Sequence, residues 1–154
     1  MKQYRAIMWL AIIGLVVWIQ QKIRAFRSMD LNPGFPTNFR MQGGTIEFIL
    51  PITVFNASGT AINIGGLDLR VIAEGQYIGR AYMSQRLQIA GVGATVIPAT
   101  VRVSILDLAN AIPGFVAGAQ DRVITMTYQG TANIEAFFAP VNISHTLNFP
   151  KLTL

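Results

Sequence analysis

From Thr45 onward, hydrophobic residues recur at every second position, and this period of two constrains the fold more than any other feature of the chain. In the segment TIEFILPITVF (45–55), every second residue from Ile46 to Val54 points to the same side of an extended chain. About seven such segments follow one another at a spacing of roughly 10 to 15 residues, without long helical segments between them. This pattern predicts a mainly β, antiparallel β-sandwich of about seven strands, of the fibronectin-III or immunoglobulin-like kind.

Glycine and proline residues interrupt these segments at defined places. Gly65–Gly66 predicts a β-bulge or a bend, because glycine weakens the interior of a regular strand. Pro98 predicts an edge position or a bulge, because proline has no N–H to donate to a neighbouring strand. The one helix-like segment in this part of the sequence is LDLANAIPG (106–114), which we expect to end at Pro113–Gly114 after one or two turns.

The N-terminus carries a second pattern, an uncharged apolar run from Ala6 to Ile19 that is followed by cations. A secretory signal peptide has a similar run but needs small residues at its cleavage site, whereas QQKIRAFR follows here. A buried helix of a globular domain is a second alternative, because such runs are also found in core helices. We expect instead an uncleaved transmembrane helix with a basic amphipathic stem over residues 1–28. The predicted anchor residues are interfacial aromatics and flanking cations, namely Tyr4, Trp9, Trp18, Lys22, Arg24 and Arg27.

Two prolines and a glycine within DLNPGFPTN (30–38) separate this helix from the strands. Such a segment cannot continue a helix. The sequence therefore predicts three parts: the helix over 1–28, a Pro/Gly linker over 29–44 and the β-sandwich domain over 45–154.

Net charge divides the chain at the same place. The formal excess of +5 comes entirely from the lysine and arginine residues of the first 28 positions, and from Met29 onward seven basic residues balance seven acidic ones. Cations that flank an apolar helix match anionic lipid headgroups better than nucleic acid, so we expect membrane lipid and no nucleic acid as a partner. The absence of cysteine excludes disulfides, thiolate catalysis and cysteine-bound metals.

Apolar residues also occupy positions that face outward from the predicted strands. After Lys22 the next lysine is Lys151, and so little charge is typical of a surface that other protein covers. Scattered apolar residues also occur on the surfaces of free domains, which leaves that alternative open. We expect the following residues to bind other protein subunits: Ile49, Phe55, Ile72, Ile78, Phe137 and Phe138.

No residue set predicts catalysis, so we expect neither an enzyme nor a small-molecule substrate, and no cofactor or metal. The one histidine, His145, lies in a predicted terminal strand, and no two acidic residues stand at a spacing typical of an acid–base pair. The segment GVG (91–93) lacks the strand–helix context of a phosphate-binding loop. Asn56-Ala-Ser and Asn142-Ile-Ser fit the N-glycosylation pattern, which arises often by chance in a β-protein.

Several short motifs follow one another in a distinctive order: PITVFNASGT, the hairpin INIGGLDLRVIAEGQYIGRA, then VIPATVRV, VITMTYQGTANI and a final LNFPKL. This order resembles the late-embryogenesis-abundant type 2 family, also called the water-stress and hypersensitive-response domain. The match covers about residues 40–154, with a departure at Asn56-Ala57, where many members have Asn-Pro. The resemblance implies a fibronectin-III-like sandwich, often membrane-tethered, without a known catalytic site. The positions that carry it are Asn56, Gly75, Gly79, Pro98, Tyr128, Gly130 and Pro150.

These observations predict a non-enzymatic, single-pass membrane protein whose β-sandwich packs into a larger homo- or hetero-assembly. The internal membrane of a virion, with the helix tethering lipid to a protein shell, is one setting, and a cell-envelope complex is another. The alternative is a LEA-2-like stress-protective or lipid-binding module, in which the sandwich interior or an open sheet edge holds an apolar ligand.

Overall fold

The computed structural model describes residues 2–121, 123–135 and 137–148. The helices of this part of the chain are Lys2–Arg27 (α1) and Ile105–Asp121 (α2). The strands are Asp30–Pro33 (β1), Thr37–Gln42 (β2), Thr45–Asn56 (β3), Ile62–Ala73 (β4), Gln76–Met83 (β5), Leu87–Ile89 (β6), Gly93–Ser104 (β7), Val123–Ile134 (β8) and Phe137–Asn148 (β9).

These strands form one antiparallel sheet in the order β1-β3-β7-β5-β4-β8-β9, with β2 also paired to β3 and β6 also paired to β4. The sheet curls into a nearly closed, barrel-like shape. The prediction of a mainly β, antiparallel fold is confirmed, whereas a single sheet of nine strands takes the place of the predicted β-sandwich of about seven strands. The long strands change neighbours along their length, since β7 pairs with β3 over all its residues but with β5 only over 100–103. One sheet can therefore bend around a core without dividing.

The predicted alternation of apolar and other residues along the strands directs the apolar side chains into the core of the barrel. Leu50, Ile52 and Val54 of β3 are buried, and so are Leu69 and Val71 of β4, each from every second position of its strand. Full burial of one such side chain contributes about 1.5 to 3 kcal/mol to the free energy of folding. The hydrophobic period of two is therefore the main source of stability in the barrel.

Two breaks predicted from the sequence are present. The pairing of β4 with β8 shifts register between Ile64 and Gly66, which is the bulge predicted at Gly65–Gly66. Pro98 precedes the segment of β7 that pairs with β5, so the strand is locally an edge on that side. Its missing N–H therefore leaves no hydrogen bond to β5 unmade.

The helix predicted to end at Pro113–Gly114 instead continues through both residues to the end of α2. The hydroxyl of Ser104 accepts a hydrogen bond from the N–H of Asp107 at 3.3 Å and caps the first turn. Ala111 is almost fully buried, and this packing against the sheet offsets the cost of a proline inside the helix. Ile105 is the exposed first residue of α2.

Helix α1 spans most of the segment predicted to cross a membrane. Among the described residues, we find no helix that combines the length and the apolar character required of a membrane span. The predicted transmembrane helix is therefore not supported. A physical reason lies at the C-terminal end of α1, where Ala25 and Phe26 are buried in the core of the barrel. The last turns of the helix thus belong to the folded body.

The segment 29–44, predicted as a linker, carries β1 and β2. Asp30 to Pro33 pair with the second half of β3, and Thr37 to Gln42 pair with its first half. Met29 is buried between α1 and the barrel. The prolines that end the helix are compatible with these strands because both strands lie at the edge of the sheet.

Candidate functional site

The most unusual surface of the molecule is the middle of α1. All nine residues from Leu10 to Trp18 are apolar and exposed, and Leu10 and Leu15 keep 69% and 56% of their surface accessible. Successive helix residues are about 100° apart, so nine consecutive residues cover every face of the helix. A helix that is apolar all round is normally enclosed by protein or lipid.

The base of α1 is fixed to the barrel by a lysine that is largely buried. The Nζ of Lys22 donates a hydrogen bond to the carbonyl oxygen of Ala61 at 2.8 Å and lies 3.1 Å from the Oε1 of Glu135. The same ammonium lies 5.7 Å from the centre of the Trp18 ring. Phe26, one turn further on, completes the attachment by packing in the core. The exposed part of α1 therefore adjoins a turn of the helix that is attached to the barrel.

The structure revises the predicted roles of the anchor residues. The polar contacts of Lys22 are with protein groups, because Glu135 and the carbonyl group of Ala61 lie at the end of the barrel that α1 touches. Arg24 and Arg27 are exposed, as a basic stem requires. Trp18 lies at the C-terminal end of the exposed segment, beside Lys22. The side chains of Tyr4 and Trp9 lie outside the described part of the chain.

Near Phe26, the part of the barrel interior that the described residues line holds almost no free space. A cavity that Phe26, Ile52 and Leu69 help to line measures about 10 Å³, roughly the space of one water molecule. Phe26 of α1 is one of the side chains that fill this interior. The structure thus does not support the expectation that the sandwich interior holds an apolar ligand.

The residues predicted to bind other subunits do not come together. Ile49 and Phe55 lie on β3, and Phe55 is half exposed. Ile72 is partly buried on β4, three strands away from β3, and Phe138 is exposed on β9 at the end of the strand order. Phe137 packs against the core. No single patch unites these side chains.

Ile78 is not on the surface, which corrects the prediction for this residue. The pairing of β4 with β5 shifts register there, since Val71 faces Gly79 whereas Ile72 faces Tyr77. Ile78 is therefore an extra residue in β5, and the irregularity turns its side chain into the core, where it is 5% exposed.

Sequence reasoning missed an apolar surface on β2 and the turn before it. Phe35, Phe39 and Met41 are 89%, 64% and 72% exposed, and the ring of Phe39 packs against that of Phe48 at 5.3 Å between centres. The prolines and glycine in this segment favoured a linker, and the alternation of Phe39 and Met41 was the signal available for a strand. These residues form the most exposed apolar group on the body of the protein.

Charged side chains on the outer face of the barrel form two ion pairs. Arg80 binds Asp68 through two hydrogen bonds of 2.6 Å, and Arg102 binds Glu47 through one of 2.6 Å. The hydrogen bonds from Arg80 hold the pKa of Asp68 below its ordinary value, and the bond with Glu47 raises the pKa of Arg102. All four side chains are at least one-third exposed, so such pairs add little to stability.

The described residues contain no arrangement typical of an active site. No three His, Asp or Glu side chains in this part of the chain lie close enough to hold a metal ion. His145 is partly buried on β9, opposite Met126 of β8. Asn56, the first residue of a predicted glycosylation site, is fully buried and donates to the carbonyl oxygens of Thr60 and Ala90. Its amide is therefore engaged within the fold.

Comparison with known families identifies the barrel. The family model described as late embryogenesis abundant protein, LEA_2, matches residues 51–151. The chain belongs to the LEA_2 family. Several residues that carry the resemblance have a structural role in this LEA_2 domain. Asn56 joins two loops through its hydrogen bonds, and Tyr128 is buried in the core. Gly79 and Gly130 lie where a side chain would meet the backbone of the neighbouring strand.

Solved structures resemble the LEA_2 domain at low sequence identity. A solution structure of a protein from Arabidopsis thaliana aligns with a TM-score of 0.52 and 15% identity, over 80% of each chain. A crystal structure of a protein from Archaeoglobus fulgidus aligns with a TM-score of 0.49 and 15% identity, over 82% of this chain and 98% of that one. The comparison with curated proteins returns no match. Membership of LEA_2 favours the LEA-2-like module over the predicted structural component of a virion, for which the comparisons offer no support.

Proposed function

We propose that this protein is a non-catalytic LEA_2 module that attaches to a lipid layer by inserting the apolar segment Leu10–Trp18 of α1. The observation that carries the proposal is the exposure of apolar side chains on every face of that segment. A flat protein surface covers one face of a helix, whereas lipid hydrocarbon surrounds it on all sides. The exposed apolar surface is therefore better matched by lipid than by a single docking partner.

The position of charge supports the same proposal. The whole formal excess of +5 lies on the first 28 residues, and Arg24 and Arg27 are exposed just beyond the apolar segment. Basic residues next to a membrane surface are attracted to anionic headgroups, with about 1 kcal/mol for each lysine or arginine. Leu10 to Trp18 extend about 14 Å along the helix axis, roughly half the thickness of a bilayer core. Insertion of this described segment therefore requires no crossing of the membrane.

A second candidate partner is protein, and it is favoured by a specific surface. Phe35, Phe39 and Met41 expose apolar side chains on β2, which is an edge strand with one free side. Edge strands of this kind add strands from partners. A lipid-attached LEA_2 module could in this way contact a neighbouring subunit through β2.

The test of lipid attachment uses the two tryptophans, Trp9 and Trp18, which both lie in α1. The full chain is mixed with vesicles of phosphatidylcholine, with and without phosphatidylserine. The tryptophan fluorescence emission spectrum and the fraction of protein that floats with the vesicles are measured. We expect a blue shift and co-flotation, both stronger with phosphatidylserine. Leu15→Lys places a charge in the apolar segment at a cost of about 2.5 to 3.5 kcal/mol, so its partitioning should fall about 100-fold.

Val92→Lys is the matched control, because Val92 is an exposed apolar residue on the body, 70% accessible. It should float as the unmodified chain does. Equal flotation of Leu15→Lys and the unmodified chain would contradict insertion of α1. A stable oligomer that forms without lipid and ignores vesicles would show instead that α1 is covered by other copies of itself.

A further inference from the structure

Three arginines lie side by side on the outer face of the barrel, and we call them the arginine row: Arg102 of β7, Arg80 of β5 and Arg70 of β4. Arg102 is the register partner of Arg80, and Arg80 is the register partner of Arg70. Register partners in antiparallel strands point to the same face of a sheet. All three side chains are exposed, and the neighbours of Arg70 along β4, Leu69 and Val71, are buried.

The arginine row has polar neighbours on both sides in the same register. Arg102 is paired with Glu47 of β3, which is paired with Arg40 of β2. On the other side Arg70 is paired with Gln129 of β8, which is paired with Asn142 of β9. Polar side chains thus form one line across seven adjacent strands, with the arginine row at its centre.

Such an arrangement costs stability. Neighbouring strands lie about 4.8 Å apart, and like charges directly opposite each other destabilise a sheet. Asp68 compensates Arg80 and Glu47 compensates Arg102, while Arg70 contacts the ring of Tyr77 at 5.3 Å. With Arg40, four arginines face two carboxylates, so this line has an excess of two positive charges on a body whose total formal charge is zero. A violation of a local pairing rule is typical of a functional site.

The chemistry of the row favours phosphate. Guanidinium groups bind phosphate through two parallel hydrogen bonds, and a multiply charged phosphate competes better than a single carboxylate for groups already paired with Asp68 and Glu47.

The row is about 10 Å long over three strands, and a depression of about 390 Å³ next to it is lined by Arg80, Arg102 and Tyr82. The ring of Tyr82 lies against Arg102, as that of Tyr77 lies against Arg70. Both rings are thus partly covered, which disfavours stacking of nucleic-acid bases.

The position of the row separates it from α1. The helix ends next to β1, where Asp30 is paired with Phe55 of β3, and the row lies level with Glu47 of the same strand. Eight residues of extended chain span about 26 Å. A lipid layer that takes up α1 is therefore far from the arginine row.

We propose that the arginine row binds a compact polyanion with two or more phosphate groups, free in solution and not part of the lipid layer at α1. The line of polar partners would orient such a ligand across β7, β5 and β4. This inference does not depend on lipid insertion of α1, because the row is built entirely from the barrel.

The test is isothermal titration calorimetry of the full chain in phosphatidylcholine vesicles, with inorganic tripolyphosphate as the probe. We expect saturable binding that weakens as salt is raised, since the contacts are charged. Arg70→Gln should weaken binding about 10- to 100-fold, because it removes one charge-assisted pair of hydrogen bonds. Its midpoint of urea unfolding should stay unchanged or rise, because one like-charge contact is lost.

Arg86→Gln is the matched control, since it makes the same charge change at an exposed position outside the row, and it should change affinity less than twofold. Equal weakening by Arg70→Gln and Arg86→Gln would overturn the proposal, because it would show attraction to net charge alone. Absence of saturable binding would also overturn it. Binding to vesicles that contain phosphatidylinositol bisphosphate, without binding of tripolyphosphate, would overturn the assignment to a soluble ligand. If the titration fails while α1 still inserts into vesicles, only the arginine row is refuted.

Discussion

At the residue scale, one buried polar side chain, that of Asn56, stabilises an end of the barrel through its hydrogen bonds. Asn56 is the one fully buried polar side chain among the described residues, and its Oδ1 accepts hydrogen bonds from the N–H and the hydroxyl of Ser58. Its Nδ2 donates to the carbonyl oxygen of Thr60, in the same loop as Ser58, and to that of Ala90 in the loop before β7. One amide thus satisfies several backbone groups at the end of the barrel that adjoins α1, where an apolar residue would leave them unpaired.

Tyr128 leads to a prediction about pH at the same scale. Burial raises the pKa of its phenol above the ordinary value of 10.0, because the folded core disfavours the phenolate. The folded state therefore keeps the proton that the unfolded chain loses, so stability present below pH 10 is lost as the pH rises above it. Tyr128→Phe should reduce this alkaline loss of the free energy of unfolding, measured by urea titration on both sides of pH 10.

Tyr77→Phe is the matched control, because its ring is exposed on the outer face. It should leave the alkaline loss of stability unchanged. The prediction for Tyr128 would be wrong if both variants and the unmodified chain lost stability equally above pH 10.

At the scale of elements, close approach between strands explains which glycines the barrel needs. A Cβ atom at Gly130 of β8 would run into the carbonyl oxygen of Asp68 on β4, whereas one at Gly59 would meet open space. Leu69 and Gly130 are register partners in the pairing of β4 with β8, two strands that each have a neighbour on both sides. This contact cannot be relieved by a side-chain rotation, because the backbone of β8 fixes the position of the Cβ atom and the oxygen belongs to the backbone of β4.

Gly130→Ala should therefore lower the free energy of unfolding by about 1 to 3 kcal/mol or more, since β8 must move away from β4. Gly59→Ala should change it by less than about 0.5 kcal/mol. Chemical denaturation monitored by circular dichroism measures both values. Similar midpoints for the two variants would show that the strands separate at little cost.

At the scale of the whole molecule, α1 belongs to two environments. Its middle is exposed on every face, while Phe26 near its end is 7% exposed and lines the interior of the barrel. The same helix therefore supplies a surface that is available for lipid and a side chain that fills the core. The proposed function depends on the first part, and the stability of the LEA_2 domain depends on the second.

Deletion of residues 2–17 should consequently leave the free energy of unfolding of the barrel unchanged within about 0.5 kcal/mol, as for surface changes. Phe26→Ala should lower it by about 3 to 5 kcal/mol, because it leaves a cavity in the core. Phe35→Ala, at a ring that is 89% exposed, is the control and should have little effect. A large loss on deletion of 2–17 would contradict the division of α1 into two parts.

Much of the fold could be predicted because it depends on local spacing. The period of two predicted the antiparallel strands and the inward residues of β3, and Gly65–Gly66 predicted the bulge in β4. The motif order resembled the family to which the chain belongs. Local spacing did not predict the turn of Ile78 into the core or the passage of α2 through Pro113, because a register shift and helix packing depend on neighbouring elements.

The candidate sites divide in the same way. The sequence alone determined that an apolar helix with flanking cations precedes a neutral, cysteine-free β domain, because composition and period are properties of consecutive residues. Only the tertiary structure decided that Lys22 binds Glu135, that Phe26 fills the barrel, and that one arginine from each of three strands lies beside the next. The physical reason is that strand pairing joins positions far apart in the chain, and their juxtaposition depends on a register that no local pattern contains.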